Sequence, residues 1–131
     1  MIRIVISLLI ALSLTACSTT HVAVNKFQSH CPESSKEGKS SDDHLPYFKA
    51  APLYPLKAFR QRREGYAEFE FDISAEGRPI NLWLIESYPA DIFVRAAYVS
   101  LQMYKYKPVY EDGKAVISRC HSAKIVFAIE K

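Results

Sequence analysis

Apolar and polar positions alternate strictly over Tyr66–Ile73, with Ala67, Phe69, Phe71 and Ile73 on one face and Glu68, Glu70 and Asp72 on the other. A period of two is that of a strand with one face buried and one face wet. The stretch Ser74–Gly77 supplies a turn, and Pro79–Ser87 predicts a second strand, with Ile80, Leu82 and Leu84 toward the core and Trp83 and Ile85 facing away. The two runs form a hairpin. Beyond Pro89 and Asp91, which open a helix, the period lengthens. Phe93, Ala96, Ala97, Ser100, Leu101 and Tyr104 make one continuous helical stripe that covers the sheet. Pro108 and the turn dipeptide Asp112-Gly113 precede a long final strand with Ala123, Ile125, Phe127 and Ile129 inward. Upstream, "YPLKAFRQRREG" predicts a short basic helix with Pro55 in its first turn, Leu56 and Phe59 facing inward, and Gly65 as a left-handed stop.

Counting directions fixes a topology. If the first strand runs up and the second down, the helix returns the chain, and the third strand pairs antiparallel with the first. The expected fold is α+β: a three-stranded antiparallel sheet, order two-one-three, with two helices and the last strand on an open edge.

The N-terminus follows a different pattern. Ile4–Ala16 is apolar except for Ser7, Ser13 and Thr15, with Arg3 before it. That run is too short to cross a bilayer, which takes roughly 20 residues. It fits the hydrophobic region of a secretory signal. Its end, Leu14-Thr15-Ala16-Cys17, resembles the lipobox of bacterial lipoproteins, which implies cleavage before Cys17 and acylation, palmitate included, of that cysteine. Ser18, a non-acidic residue, then implies sorting to the outer membrane. Acyl chains at about 0.8 kcal/mol per methylene hold a protein on a bilayer without spanning it. The expected organisation is a signal peptide at 1–16, a flexible tether at 17–45 and a globular domain at 46–131. The tether contains the Ser-rich, charged "PESSKEGKSSDDH", which has nothing to bury, and the patch "HVAVNKF" inside it suits an extended arm.

Of the 131 residues, 49% are hydrophobic and 24% charged, and the net charge is +3. That balance suits one ordinary domain and is too mild for a nucleic-acid binder. The cluster Lys57, Arg60, Arg62 and Arg63 reads as a solvated helix face, with contact to anionic headgroups or lipopolysaccharide as the alternative. Export into an oxidising compartment leaves Cys31 and Cys120 as an even remainder once Cys17 is acylated, so they are expected to pair. Such a bond closes a loop of about 90 residues. A metal site from His30-Cys31 and Cys120-His121 is the weaker alternative, because zinc ligands seldom come from adjacent residues. His21 and His44 take ordinary surface roles. No cofactor, metal or catalytic residue is expected, since no nucleophile, acid or base stands at an informative spacing.

Taken together, "APLYP" (Ala51–Pro55), Ala58, Glu64-Gly65, "FEFDISAEGRP" (Phe69–Pro79), Ser87, Pro89, Phe93, Ala96-Ala97, "YKYKP" with Tyr104, Tyr106 and Pro108, and Asp112-Gly113-Lys114 resemble the C-terminal domain of TonB. That family is the periplasmic transducer that engages outer-membrane receptors. The resemblance implies that a short partner segment adds as a strand to the outer side of the last strand, and that Tyr54 and Pro55 lie near the partner. Tyr104 stands where the family usually has tryptophan. The long proline-rich spacer and the uncleaved membrane helix of the family have no counterpart in this sequence.

The expected function is a lipid-anchored binding module on the periplasmic face of the outer membrane. It would recruit an envelope or receptor protein by strand addition, linked to TonB-type transmembrane transport. Main-chain groups of residues 118–127 would give affinity, and Ser122, Lys124 and Val126 selectivity. The alternative is a permanent structural lipoprotein subunit of an envelope or export complex. Trp83 with Ile85 marks a homodimer or partner patch, with ordinary single exposure of apolar residues as the alternative.

Overall fold

The structure is a computed structural model that describes residues 25–32 and 44–130. The expected signal peptide, Cys17 and most of the tether lie outside these residues. The elements are β1 (Asn25–Lys26), α1 (Leu56–Arg60), β2 (Gly65–Ile73), β3 (Pro79–Tyr88), α2 (Val94–Gln102), β4 (Val109–Glu111), β5 (Lys114–Val116) and β6 (Ser118–Phe127). The main sheet is antiparallel in the order β1-β3-β2-β6. Its β3-β2-β6 part is the expected three-strand order, and the two-residue β1 extends it on the β3 side. β4 and β5 form a separate hairpin. Asp112 (φ 49°) and Gly113 (φ 76°) turn it, both left-handed as the tight turn of a right-twisted ribbon requires.

The core lies between the inner face of the sheet and α2. Ala67, Phe69, Phe71 and Ile73 of β2 and Ile125 and Phe127 of β6 meet Phe93, Ala97 and Leu101 there, and Tyr104 and Tyr106 close one side. Phe93 stacks on Phe127 at 4.5 Å between centroids. Burial drives the Tyr106 hydroxyl pKa well above its ordinary value, with the neighbouring Tyr104 adding to it, so this ring stays neutral in its apolar site. The turn after β2 is fixed by Gly77 (φ 80°), whose carbonyl accepts the Tyr106 amide at 2.9 Å. A Cβ there would overlap the Tyr106 carbonyl.

Several local expectations are corrected. Leu56 and Phe59 do not face inward: they are 62% and 54% exposed, and Ala58 is the buried residue of α1. A five-residue helix presents one narrow stripe, and a small residue on it lets the backbone sit close. The left-handed residue after α1 is Arg62 (φ 50°), not Gly65. Gly65 begins β2, where a Cβ would collide with the Tyr88 carbonyl and the Phe93 ring. Ile80 is turned off the core face. A bulge between Glu70 and Asp72 sets Ile80 opposite Asp72 and buried Pro79 opposite Ile73, because one extra residue flips the side chains beyond it. The second helix opens at Val94 with Phe93 at its N-cap, after a cis Tyr88–Pro89 bond and left-handed Asp91 (φ 65°). The long last strand is divided into β5 and β6, and Ile129 lies beyond β6.

Residues 25–32 fall in the stretch read as a flexible tether, yet backbone pairing and hydrogen bonds tie residues 25–31 to the sheet. β1 pairs with Glu86 and Ser87 of β3, and the Phe27 amide donates to the Ile85 carbonyl at 2.6 Å. The chain then crosses the outer face of the sheet to Cys31, which is buried.

Candidate functional site

β6 pairs with β2 from Gly65↔Phe127 to Phe71↔His121 without interruption. A register shift follows between Phe71 and Ile73, with Cys120 in the left-handed region (φ 60°). Among the described residues no strand pairs with the other side of β6. In an antiparallel edge strand every second residue turns its N–H and C=O away from the sheet. The regular open template is thus 121–127, shorter than the 118–127 read from sequence, because the bulge at Cys120 interrupts the ladder before it resumes at Ile73↔Ser118.

Ser122, Lys124 and Val126 are all exposed, opposite Glu70, Glu68 and Tyr66 of β2. Lys124 folds back onto β2. Its Nζ is 3.2 Å from Glu68 and 4.3 Å from the centroid of the Tyr66 ring. The Tyr66 hydroxyl donates to the Glu86 carboxylate, and that bond, with burial and nearby charge, raises its pKa. Arg119 likewise reaches Asp72 at 3.5 Å. The charges of the edge therefore lie over the sheet. Val126, 61% exposed, is its one large apolar projection.

Tyr54 comes close to this edge, and Pro55 follows it in the chain. Tyr54 sits edge-on to Phe59, Phe93 and Phe127, each at 5.6 Å, and its hydroxyl donates to the Arg63 carbonyl at 2.6 Å. Desolvation, then the Glu64 charge, raises its pKa. Pro55 is the N-cap of α1 and its carbonyl accepts the Phe59 amide. Tyr54, singled out in sequence, thus packs on Phe127 at the C-terminal end of β6. Behind them, the Ser100 hydroxyl donates to the Ala50 carbonyl at 2.6 Å and ties the segment entering at Ala51 to α2.

The other end of β6 holds the N-terminal arm. Cys31 and Cys120 stand as a bonded pair with Cα atoms 5.5 Å apart. Beside them Glu70, only 5% exposed, accepts the Ser29 hydroxyl at 2.6 Å and the His30 and Cys31 amides at 2.8 and 3.0 Å. His30 stacks on Trp83 at 4.4 Å, so the residue read as a dimer patch is partly covered by the chain's own arm. The Cys120 amide donates to Asp72 at 2.9 Å, and Asn81 donates to the same carboxylate at 3.1 Å. Burial alone would raise the Asp72 pKa. The Cys120 and Asn81 bonds with the Arg119 and His30 charges outweigh it and hold the group below the ordinary carboxylate value. His121 turns to Ser118, Phe71 and His44 instead of joining His30 at a common point. Sequence reasoning missed Ser29 and Glu70. Alternation marked Glu70 as a wet-face residue, and no local signal reports a segment some forty residues earlier folding over it.

Among the described residues no helix is long and apolar enough to cross a membrane. Residues 50–129 match the family described as Gram-negative bacterial TonB protein C-terminal. Protein TonB of Escherichia coli (strain K12) is 32% identical over 57 residues, 44% of this chain and 24% of that protein. Protein TonB of Pseudomonas aeruginosa is 27% identical over 101 residues, 76% of this chain and 29% of that protein. The chain thus spans about a quarter of the length of these curated relatives. The solution NMR structure of the Pseudomonas aeruginosa TonB CTD superposes with a TM-score of 0.58 at 29% identity, covering 69% of this chain and 90% of that one. With its strand order, its edge and the 50–129 match in agreement, the chain belongs to the TonB C-terminal family.

Proposed function

We propose that this protein is a binding module of the cell envelope and not an enzyme. It captures a segment of an envelope or receptor protein as an added strand on β6, in service of TonB-type transmembrane transport. The observation that carries the reading is the uninterrupted 121–127 ladder, which among the described residues has no strand on its outer side. Strand addition takes affinity from main-chain bonds and selectivity from alternate side chains. Ser122, Lys124 and Val126 fill the second role, and Tyr54 with Pro55 borders the site. Cys17 carries the lipid in this proposal and holds the domain (46–131) on the periplasmic side of the outer membrane. The Cys31–Cys120 bond forms there as the chain is exported.

The test uses neighbouring positions. Of Ala123 and Lys124, one turns its amide to β2 and the other to the free side. Ala123→Pro and Lys124→Pro should therefore part: one unfolds the edge, and the other keeps the fold but loses capture of its envelope partner in in-cell photo-crosslinking from position 126. Capture undiminished in the folded variant would mean that the edge is idle. A partner that stays bound through high salt and detergent would instead favour a permanent structural subunit.

A further inference from the structure

The segment from Leu53 to Arg63 carries Lys57, Arg60, Arg62 and Arg63 and no acidic residue, four cations in a chain whose net charge is +3. Among the described residues none of the four is in an ion pair. Its large apolar side chains also stand in water: Leu53 is 84%, Leu56 62% and Phe59 54% exposed. A solvated basic helix face keeps its apolar residues underneath, whereas here both kinds project together. Beside Leu53 an apolar groove of about 400 Å³ opens between residues 51–55 and α2, with half-exposed Val99 and Met103 and exposed Arg95 among its lining.

Protein interfaces place an apolar, charge-depleted centre inside a polar rim. Cations interleaved with apolar tips on a short projecting helix match a different surface, one where phosphates take the charges and the tips enter the acyl boundary. We infer that residues 53–63 dock on an anionic phospholipid bilayer. Leu53, Leu56 and Phe59 insert, the four cations hold headgroup phosphates, and the groove receives an acyl chain. Tyr54 ties this surface to Phe127, so docking sets one end of β6 beside the bilayer. The inference is independent of strand addition.

The test reads hydrogen exchange at the Phe59, Gln61, Arg62 and Arg63 amides, whose bonds close α1 and its exit. The full chain is compared in proteoliposomes of phosphatidylcholine alone and with phosphatidylglycerol added. Exchange should slow several-fold only on the anionic vesicles, and 0.5 M salt should reverse it. Lys57→Glu with Arg60→Glu should abolish the protection, and each cation removed should weaken the docking roughly fivefold. Leu56→Ser with Phe59→Ser should abolish it at unchanged charge. Unaltered exchange in β2 and β6 certifies that the variants fold. Equal exchange on both vesicles, or protection that survives charge reversal, would overturn the inference. So would protection that requires an acidic polypeptide such as poly-glutamate in place of lipid, which would assign the surface to a protein. Retention on pure phosphatidylcholine reports the anchor at Cys17 separately.

Discussion

The two edges of the sheet are built from similar strands and meet different fates. On the β3 side the chain's own arm has added a strand, Asn25–Lys26, and continued across the outer face to Glu70 and Cys120. On the β6 side the 121–127 ladder ends in main-chain groups with no strand against them among the described residues. The protein thus performs on one edge, within its own chain, the kind of pairing proposed for a partner on the other. An exposed edge is a hazard as well as a template, and the arm covers the β3 edge at Glu86 and Ser87 while, among the described residues, no strand lies on the outer side of β6. Glu70 marks the difference in chemistry. A carboxylate with three donors holds a peptide by charge-assisted bonds, whereas β6 offers only its backbone and a row of side chains.

Breaking the covered edge gives the largest expected effects. Cys31→Ser with Cys120→Ser removes the constraint on a loop of 89 residues, and denaturant unfolding should lose about 3–5 kcal/mol. Partner capture by β6 should persist; its loss would show that the arm supports both edges. Glu70→Ala leaves the His30 and Cys31 amides without their acceptor, while the Ser29 hydroxyl keeps the Cys31 carbonyl, and should lose about 2–3 kcal/mol with the disulfide intact. Exchange at the Phe27 amide should then rise while amides of β6 stay protected. Equal loosening of both edges would erase the contrast.

Acid provides a graded version. Asp72 has a lowered pKa in the folded chain, so it contributes stability fully above the unfolded carboxylate pKa, and that contribution is lost as pH falls through the folded value. The gap between the native chain and Asp72→Asn should narrow on acidification, measured by unfolding at a series of pH values. A gap that widens in acid would contradict the assignment. The smallest effect belongs to the open edge. Lys124→Gln removes a partly exposed pair with Glu68 and should change stability by no more than about 1 kcal/mol. A larger loss would make Lys124 structural and weaken its role in choosing a partner.

What the residues declared locally was declared well. Period-two alternation named the buried face of β2, and the helical stripe from Phe93 to Tyr104 named the residues α2 lays on the sheet. Direction counting then yielded the β3-β2-β6 order and put β6 on the rim, because antiparallel pairing leaves a helix-joined third strand only one place. The failures share one cause. Ile80 was displaced by a bulge, Leu56 and Phe59 by the shallow seat of α1 on Ala58, and Glu70 by an arm from far upstream.

The sequence by itself determined the three long strands of the main sheet, the main helix and their order, since these follow from periods and turns that span a few neighbouring residues, and its motifs carried the resemblance to the family. Tertiary structure alone decided which edge receives the arm, where the ladder on β6 is interrupted, and that α1 carries its apolar side chains outward with its cations. These depend on contacts between segments distant in the chain, whose free energies no local pattern encodes.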